Sequence, residues 1–281
     1  MEHMKGWRSA MEHLLEVRDL RCGYGSGSRK TEIVHGVSFH VDAREFVCVI
    51  GANGCGKTTT LKSMMGLLAP LGGTVLLNGV DISSCTEREL AQHFAYIPQA
   101  HTPPFPFAVS DVVLMGRTPY MNRLARTTRR DRMVAYRALE LLGIADLADV
   151  PYTRLSGGQQ QMVLIARALT QQSDILVMDE PTASLDFGNQ QLVLSRMRVL
   201  SQMGKAVIMV THDPDHALYC ADRVIVMDEG KVLKTGTTDE CITTEMLRRI
   251  YGTDARVMNV EVEPGRIERA CIPVLPEIVR R

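Results

Sequence analysis

The chain has 281 residues, and its 45% hydrophobic and 23% charged content is typical of a soluble protein with one large or two closely fused lobes. Its 32 Lys and Arg residues balance its 32 Asp and Glu residues, so no overall field favours nucleic acid or anionic lipid. The longest apolar runs are strand-sized and the first dozen residues lack an apolar signal core, so we expect a cytosolic protein.

The first predicted elements lead to a phosphate-binding loop. Residues 14–50 alternate apolar and polar positions and end in the strand-like run FVCVI, which a glycine-rich turn and a helix follow. The turn, GANGCGKT at Gly51–Thr58, matches the pattern G-x-x-x-x-G-K-[ST] in its required context of a strand before and a helix after. A glycine turn that closes a β-α unit by chance is the alternative.

This loop predicts ATP and Mg²⁺ as ligands. Its glycines let backbone N–H groups surround the phosphates, Lys57 neutralises the β and γ charges, and the Thr58 hydroxyl is a ligand for Mg²⁺. Tyr24, in an earlier glycine-rich turn, offers a ring on which adenine could stack, although tyrosines are common in such turns. We expect the nucleotide to contact Tyr24, Gly51, Asn53, Gly54, Cys55, Gly56, Lys57, Thr58 and Thr59.

Cys55 raises a separate expectation, because it lies inside the loop at the start of a helix. A thiol pKa tends to fall at such a position. The seven cysteines of the chain are scattered and form no C-x-x-C pair, which suits a reducing compartment and indicates no zinc site. We interpret Cys55 as a variable position whose alkylation would block nucleotide binding.

The middle of the chain is predicted to be helical. A hairpin is expected from Gly72, and the segment AYIPQAHTPPFPF, with its four prolines, then breaks the regular pattern. From Val109 to about Leu155 the periodicity is helical, so we expect an α/β core interrupted by a helical insertion at about residues 100–159. Gln99 lies just before the insertion. Its amide either reaches Mg²⁺ or the attacking water, or belongs to an ordinary polar loop residue.

The arginine run NRLARTTRRDR lies within this insertion. It lacks interleaved aromatic residues, and an aspartate interrupts it. These features favour a solvated helix face or a rim against a partner protein over a nucleic-acid site.

A second glycine-rich helix start follows, in RLSGGQQQMVLIARAL. Ser156 is a suitable N-cap, and Met162, Ile165 and Leu169 continue at helical spacing. Free N–H groups at such a start attract anions. Since Gly51–Thr58 already supplies a phosphate site, the ligand of this second site needs another explanation.

Strands and helices alternate after this point, which predicts a parallel sheet covered by helices. One strand ends in Asp179 and Glu180 and another in His212, so these side chains are expected at the carboxyl edge where such sheets bind ligands. We expect Asp179 to hold Mg²⁺ through water, Glu180 to orient or deprotonate the attacking water, and His212 to donate to the γ-phosphate. A solvated acidic strand end and a surface histidine are the alternatives.

The C-terminal region alternates around Pro264-Gly265, which predicts a β-hairpin. The expected division of the chain comprises an ATPase domain at 14–260, whose core spans 14–99 and 160–250, and a C-terminal hairpin and tail at 251–281.

In this order the motifs resemble those of the ATP-binding subunit of ABC transporters, from about residue 14 to residue 250. The resemblance implies an α/β fold: a RecA-like P-loop NTPase domain with a helical insertion and an antiparallel β edge. It also implies a homodimer of head-to-tail copies, with two ATP molecules between them and the signature of each copy facing the γ-phosphate bound to the other. The matching elements are Tyr24, the Walker A loop Gly51–Thr58, Gln99, the signature with Ser156, Gly157, Gly158 and Gln159, the Walker B residues Asp179 and Glu180, the D-loop with Ser184 and Asp186, and the switch residue His212.

Finer features resemble the branch that serves iron-siderophore, haem and vitamin B12 importers, above all VSDVVLMGRTPY from Val109. In that branch the insertion contacts a dimeric integral-membrane permease, and an extracytoplasmic substrate-binding protein delivers the cargo. The resemblance implies a cytoplasmic ATPase held at the inner face of the cell membrane, with no nucleic-acid partner. The alternatives are a zinc or manganese importer, an exporter, and a soluble ABC ATPase; relatives acting on ribosomes carry two such domains, and those in DNA repair carry a long coiled coil.

Overall fold

The computed structural model describes residues 13–25, 30–99, 106–121, 127–183 and 185–274. Ser184, part of the proline-rich break and part of the arginine run lie outside these residues. In chain order the strands are β1 (Leu15–Tyr24), β2 (Thr31–Val41), β3 (Phe46–Ile50), β4 (Gly72–Leu77), β5 (Val80–Asp81), β6 (Phe94–Ile97), β7 (Ile175–Asp179), β8 (Ala206–Thr211), β9 (Arg223–Asp228), β10 (Lys231–Gly236), β11 (Ala255–Glu263) and β12 (Arg266–Pro273).

Helices follow or separate most of these strands. A 3₁₀ segment, Met115–Tyr120, continues the third helix. The α-helices are α1 (Lys57–Met64), α2 (Glu87–His93), α3 (Val109–Leu114), α4 (Arg129–Leu142), α5 (Gly157–Thr170), α6 (Phe187–Gln202), α7 (Pro214–Cys220), α8 (Thr238–Cys241) and α9 (Thr244–Tyr251).

Two sheets form the body of the molecule. The first is antiparallel, with the order β2-β1-β4-β5, and contains the hairpin expected from Gly72. The second has the order β10-β9-β3-β8-β7-β6 and is parallel except for its edge strand β10. The predicted α/β fold with an antiparallel edge is therefore confirmed.

The parallel sheet is buried on both faces, which explains why its strands are runs of consecutive apolar residues. Along β3, Phe46, Cys48 and Ile50 join a core shared with the helices. Val47 and Val49 point the other way, into a core shared with the antiparallel sheet and α1. Since β3, β7 and β8 are buried throughout, the residues that follow them are held on a rigid frame.

The helices α3 and α4 pack against α5, so the middle of the chain forms a helical block beside the parallel sheet. A buried arginine fixes this block internally. Arg117 donates to Asp131 at 2.9 Å, to the Thr170 carbonyl at 3.1 Å and to the Gln172 side chain at 2.9 Å. Its guanidinium carbon also lies 4.2 Å from the ring centroid of Tyr120. The GRTPY segment is therefore tied to both α4 and the end of α5.

The strands β11 and β12 pair across the Pro264-Gly265 turn as a separate antiparallel hairpin. Side chains from the body hold it, including that of Asp239, which accepts from Arg269 of β12. Asp215 accepts from the backbone N–H of Cys271 at 2.8 Å, and the Thr244 hydroxyl accepts from the N–H of Val257 at 3.1 Å. Within the described parts of the chain, no helix combines the length and apolar character needed to cross a membrane.

Candidate active site

The phosphate loop connects β3 to α1, and close packing explains its glycines. A Cβ atom on Gly51 would lie 2.2 Å from the carbonyl oxygen of Met227. Gly56 caps α1 in the left-handed region, at φ 100°, where a side chain would be strained. A glycine cap also leaves the N–H groups of the first turn without a side-chain acceptor, as an anion site requires. Asn53 and Gly54 form the exposed tip of the loop.

Lys57 is buried and lies folded over the loop. Its Nζ donates to the carbonyl oxygens of Gly51 at 2.7 Å and Ala52 at 2.8 Å. The loop therefore carries a positive charge at its centre, held by backbone oxygens that an anionic ligand would replace. This arrangement fits the phosphates of a nucleotide.

The environment of the Cys55 thiol differs from the one expected from the sequence. The thiol is buried, and burial raises its pKa despite the nearby ammonium of Lys57. The predicted fall in the thiol pKa is wrong, because desolvation outweighs the charge and the helix start. Cys55 instead packs with apolar residues of the core beneath the loop.

Thr58 and Asp179 form the part of the site that fits Mg²⁺. The Thr58 hydroxyl donates to Asp179 Oδ1 at 3.0 Å, and Tyr96 donates to Oδ2 of the same carboxylate at 3.3 Å. Burial raises the pKa of Asp179, with the Glu180 charge adding and these hydrogen bonds opposing. A buried carboxylate beside a hydroxyl supplies the oxygen ligands that Mg²⁺ prefers, and a bound cation would offset the cost of burying the charge.

Three expected catalytic side chains meet at the carboxyl ends of β6, β7 and β8. Gln99 Nε2 donates to Glu180 Oε2 at 3.0 Å, and His212 Nδ1 lies 3.3 Å from the same oxygen. Because these strands are parallel neighbours, the residues after them emerge at one edge of the sheet. Glu180 has a φ of 48°, and its N–H donates to the Val210 carbonyl at 3.0 Å, which turns it away from the strand direction.

Tyr24 and Thr59 lie beside the first turn of α1. The Thr59 hydroxyl approaches the Tyr24 oxygen at 3.5 Å. Tyr24 as a residue is 45% exposed, so its side chain is partly accessible to a ligand. The tyrosine thus lies next to the helix that follows the phosphate loop, as stacking on the adenine ring of a bound nucleotide would require.

Ser156 caps α5 as predicted. Its Oγ accepts from the N–H of Gln159 at 3.3 Å, and the Gln159 side chain accepts from the N–H of Ser156 at 3.0 Å. This capping box uses the N–H groups of Ser156 and Gln159. It does not use those of Gly157 and Gly158, which lie at the very start of the helix. Ser156, Gly157 and Gln159 are exposed, which makes the second helix start accessible from outside the subunit.

Gly158 joins this helix start to the beginning of α6. A Cβ atom on Gly158 would lie 2.6 Å from Cγ of Asn189. The Asn189 amide donates to Asp186 at 2.8 Å, and Asp186 is the N-cap of α6. The backbone N–H of Asn189 also donates to Asp186, at 2.9 Å, and these two hydrogen bonds lower the pKa of Asp186. The exposed residues Ser156, Gly157 and Gln159 are therefore connected to the exposed Asp186 through the buried Gly158 and the partly buried Asn189.

Sequence reasoning missed two supporting residues. Tyr96 lies on the strand before Gln99 and bonds to Asp179, yet it reads as an ordinary strand tyrosine. His216 is buried, with its Nδ1 3.1 Å from the Thr211 hydroxyl and 3.3 Å from that of Thr182. These contacts link the residues just after Glu180 to the end of the strand that precedes His212. The nearby second histidine of THDPDH was the available signal.

Comparisons with known proteins agree with this geometry. The ABC transporter family model matches residues 34–183. An uncharacterized ABC transporter ATP-binding protein of Haemophilus influenzae is 41% identical over 88% of this chain and 92% of its own length. The iron(3+)-hydroxamate import ATP-binding protein of Bacillus subtilis is 34% identical over 87% of this chain and 90% of its own length.

Solved structures give the same result. A chain from an inward-facing ABC transporter, assigned to the metal-chelate type, has a TM-score of 0.82 and 29% identity over 94% of this chain and 98% of its own. An ATP-binding cassette solved as a post-hydrolysis dimer with ADP and phosphate has a TM-score of 0.69 and 26% identity over 80% of this chain and 98% of its own. The chain therefore belongs to the ABC transporter family, as one of its ATP-binding, ATP-hydrolysing subunits.

Proposed function

We propose that this subunit energises an importer of iron-siderophore, haem or cobalamin. Its catalytic part rests on one observation. Gln99 and His212 both contact Glu180, which follows directly after Asp179, the partner of Thr58. The cargo class is supported by the iron(3+)-hydroxamate relative and by the likeness to a metal-chelate-type transporter.

The phosphate loop positions ATP in this proposal. The N–H groups of Gly51–Thr58 and the start of α1 bind the β- and γ-phosphates, and Lys57 moves its ammonium from the loop carbonyls to the phosphate oxygens. Thr58, with Asp179 through water and Gln99 nearby, would hold Mg²⁺. When bound, this ion supplies charge neutralisation at the phosphate oxygens. Tyr24 stacks on the adenine ring.

Glu180 is the general base of the proposed hydrolysis. Its carboxylate orients the attacking water and accepts a proton from it, a role that contributes about 10²–10⁴-fold to the rate. Gln99 and His212 hold the carboxylate through one of its oxygens. His212, whose side chain is half exposed, also donates a hydrogen bond to the γ-phosphate.

The second helix start acts on another copy of the chain. Ser156, Gly157, Gly158 and Gln159 contact the γ-phosphate bound by the partner subunit in a head-to-tail dimer, and Asp186 lies at the same interface. Two findings support this role: the helix start is exposed, and a related cassette is dimeric with ADP and phosphate.

The helical block is the proposed contact with the permease. It exposes large apolar side chains, including Met115 at 42%, Met133 at 47% and Tyr136 at 51%. Docking of these residues on a membrane permease would hold the subunit at the cytoplasmic face of the membrane. A substrate-binding protein on the other side would select the cargo, so the ATPase itself contacts none.

Reconstitution tests this function directly. The chain is co-purified with the permease encoded next to it, placed in lipid vesicles, and assayed for ATP hydrolysis with candidate binding proteins. We expect stimulation by a binding protein loaded with ferric siderophore, haem or cobalamin. Stimulation only by a binding protein loaded with zinc or manganese would show that the proposed cargo class is wrong. Failure of the chain to associate with any permease would instead contradict the importer role.

A further inference from the structure

A group of potential metal ligands lies apart from the nucleotide site. Among the described residues, His13, His40 and Asp42 each offer a ligand atom, and these atoms all lie within 4.8 Å of one another. All three residues are partly buried. The proposed ATPase mechanism uses none of them.

The register of the antiparallel sheet brings the three residues together. Leu15 pairs with Val41, and the N–H of Leu14 donates to the Val41 carbonyl at 3.1 Å, so the start of β1 lies beside the end of β2. Leu15 and Val41 face the core. His40 and Asp42 flank Val41 along the chain and therefore share the outer face.

The ligand atoms lie close together, and one ring would have to turn before both imidazoles could bind the same ion, because each lone pair lies in the plane of its ring. The ring of His13 stacks on that of His40 with 3.8 Å between centroids and 20° between planes. His13 Nδ1 lies 2.6 Å from Asp42 Oδ1. Two imidazoles and a carboxylate, with water completing the shell, form a donor set that suits zinc, nickel or copper and is unlike the all-oxygen set of a magnesium site.

Neighbouring charges are largely paired. Arg223 donates to both carboxylate oxygens of Glu45, at 2.6 and 2.7 Å, and Arg18 donates to both oxygens of Glu16, at 2.7 Å each. Asp42 would supply the negative charge to a bound cation in place of its present contact with His13.

One existing contact opposes metal binding. Arg223 NH1 donates to His40 Nε2 at 3.1 Å. A neutral imidazole has one lone pair, so a metal ion bound at either ring nitrogen would replace this contact. Arg223 would keep its two bonds to Glu45 and its bond to the His40 carbonyl at 2.6 Å. The expected affinity is accordingly moderate.

We propose that His13, His40 and Asp42 form a binding site for a divalent transition-metal ion. The site lies near Glu45 and Arg223, which stand at the amino ends of β3 and β9. The phosphate loop follows the carboxyl end of β3, about 17 Å away along a five-residue strand. Metal and nucleotide would therefore bind at opposite edges of the same sheet.

A titration of the nucleotide-free full chain with Ni²⁺, measured by isothermal calorimetry, tests the site. We expect saturable binding with one ion per chain, weakened at least about tenfold in His13→Gln and in Asp42→Asn. His35→Gln is the matched control, because His35 lies on β2 like His40 but outside the group, with a side chain that is 40% exposed. The affinity of this variant for Ni²⁺ should equal that of the parent chain. Thermal unfolding of each variant checks that it is folded.

A spectroscopic count of ligands completes the test. Electron paramagnetic resonance of the chain loaded with one equivalent of Cu²⁺ should show splitting from two imidazole nitrogens, and from one in His13→Gln. Absence of saturable Ni²⁺ binding, equal weakening by His35→Gln, or a copper spectrum unchanged by His13→Gln would overturn the proposal.

Discussion

Cys55 combines burial with a position inside the phosphate loop, and both properties control its reactivity. Because its pKa is raised, the reactive thiolate is scarcer at neutral pH than for a free cysteine and increases as pH rises. We predict slow alkylation by iodoacetamide at pH 7, acceleration toward pH 9 and above, and protection by ATP. Mass spectrometry of labelled peptides measures each rate. Rapid labelling at pH 7, or labelling that ATP does not suppress, would contradict this prediction.

Glu180 is expected to act in the chemical step and not in binding. Glu180→Gln should lower ATP hydrolysis by about 10²–10⁴-fold, because an amide cannot accept the proton from water. ATP binding should persist, and an ATP-bound dimer should accumulate in light scattering. Glu87→Gln, an exposed carboxylate in the first turn of α2, is the control and should retain activity. A Glu180→Gln variant that is monomeric at saturating ATP would argue against the mechanism.

At the scale of the elements, the stability of the helical block depends on the buried pair of Arg117 and Asp131. Removing one partner of such a pair leaves an unpaired buried charge, which costs about 3–5 kcal/mol. We predict that Arg117→Ala lowers the free energy of unfolding by this amount in urea denaturation. Arg132→Ala, which removes an exposed arginine of α4, should have little effect. Equal unfolding curves for the two variants would show that the network of Arg117 is not stabilising.

The same network gives the block a pH dependence. Hydrogen bonds from Thr128, followed by those from Arg117, lower the pKa of Asp131. A carboxyl whose pKa is lowered by folding stabilises the protein above its unfolded pKa, and this contribution is lost as the pH falls through the folded value. We therefore expect the stability difference between the parent and Asp131→Asn to shrink in acid. A difference independent of pH between neutral and acidic buffer would be inconsistent with this assignment.

The elements of the chain were predictable where local pattern determines structure. The phosphate loop, the Ser156 cap and the alternation of strands and helices follow from glycine spacing, capping preference and hydrophobic periodicity. Features set by long-range packing were not. The pKa of Cys55 depends on what covers the thiol, and the grouping of His13 with His40 depends on strand register, which the sequence does not display.

At the scale of the whole molecule, the proposed function needs two copies. Ser156→Arg places a bulky cation at the exposed helix start, so it should abolish hydrolysis by obstructing the partner's γ-phosphate while sparing ATP binding to the monomer. Fluorescent nucleotide binding and phosphate release measure the two effects. Loss of nucleotide binding by the isolated monomer would show that Ser156 acts within its own subunit.

The two neighbours of Glu180 both engage Oε2. In the proposed mechanism the two carboxylate oxygens would therefore differ: Oε2 would serve as the anchor and Oε1 would accept the proton from water. An amide could reproduce the anchor, since its carbonyl oxygen would accept from Gln99 in place of Oε2, with its NH₂ group at the other position. Under the proposed mechanism, Glu180→Gln is thus expected to keep the placement of the side chain and to remove its basicity. A shortened carboxylate, as in Glu180→Asp, would keep the basicity but lose the anchor, so the two substitutions separate chemistry from placement.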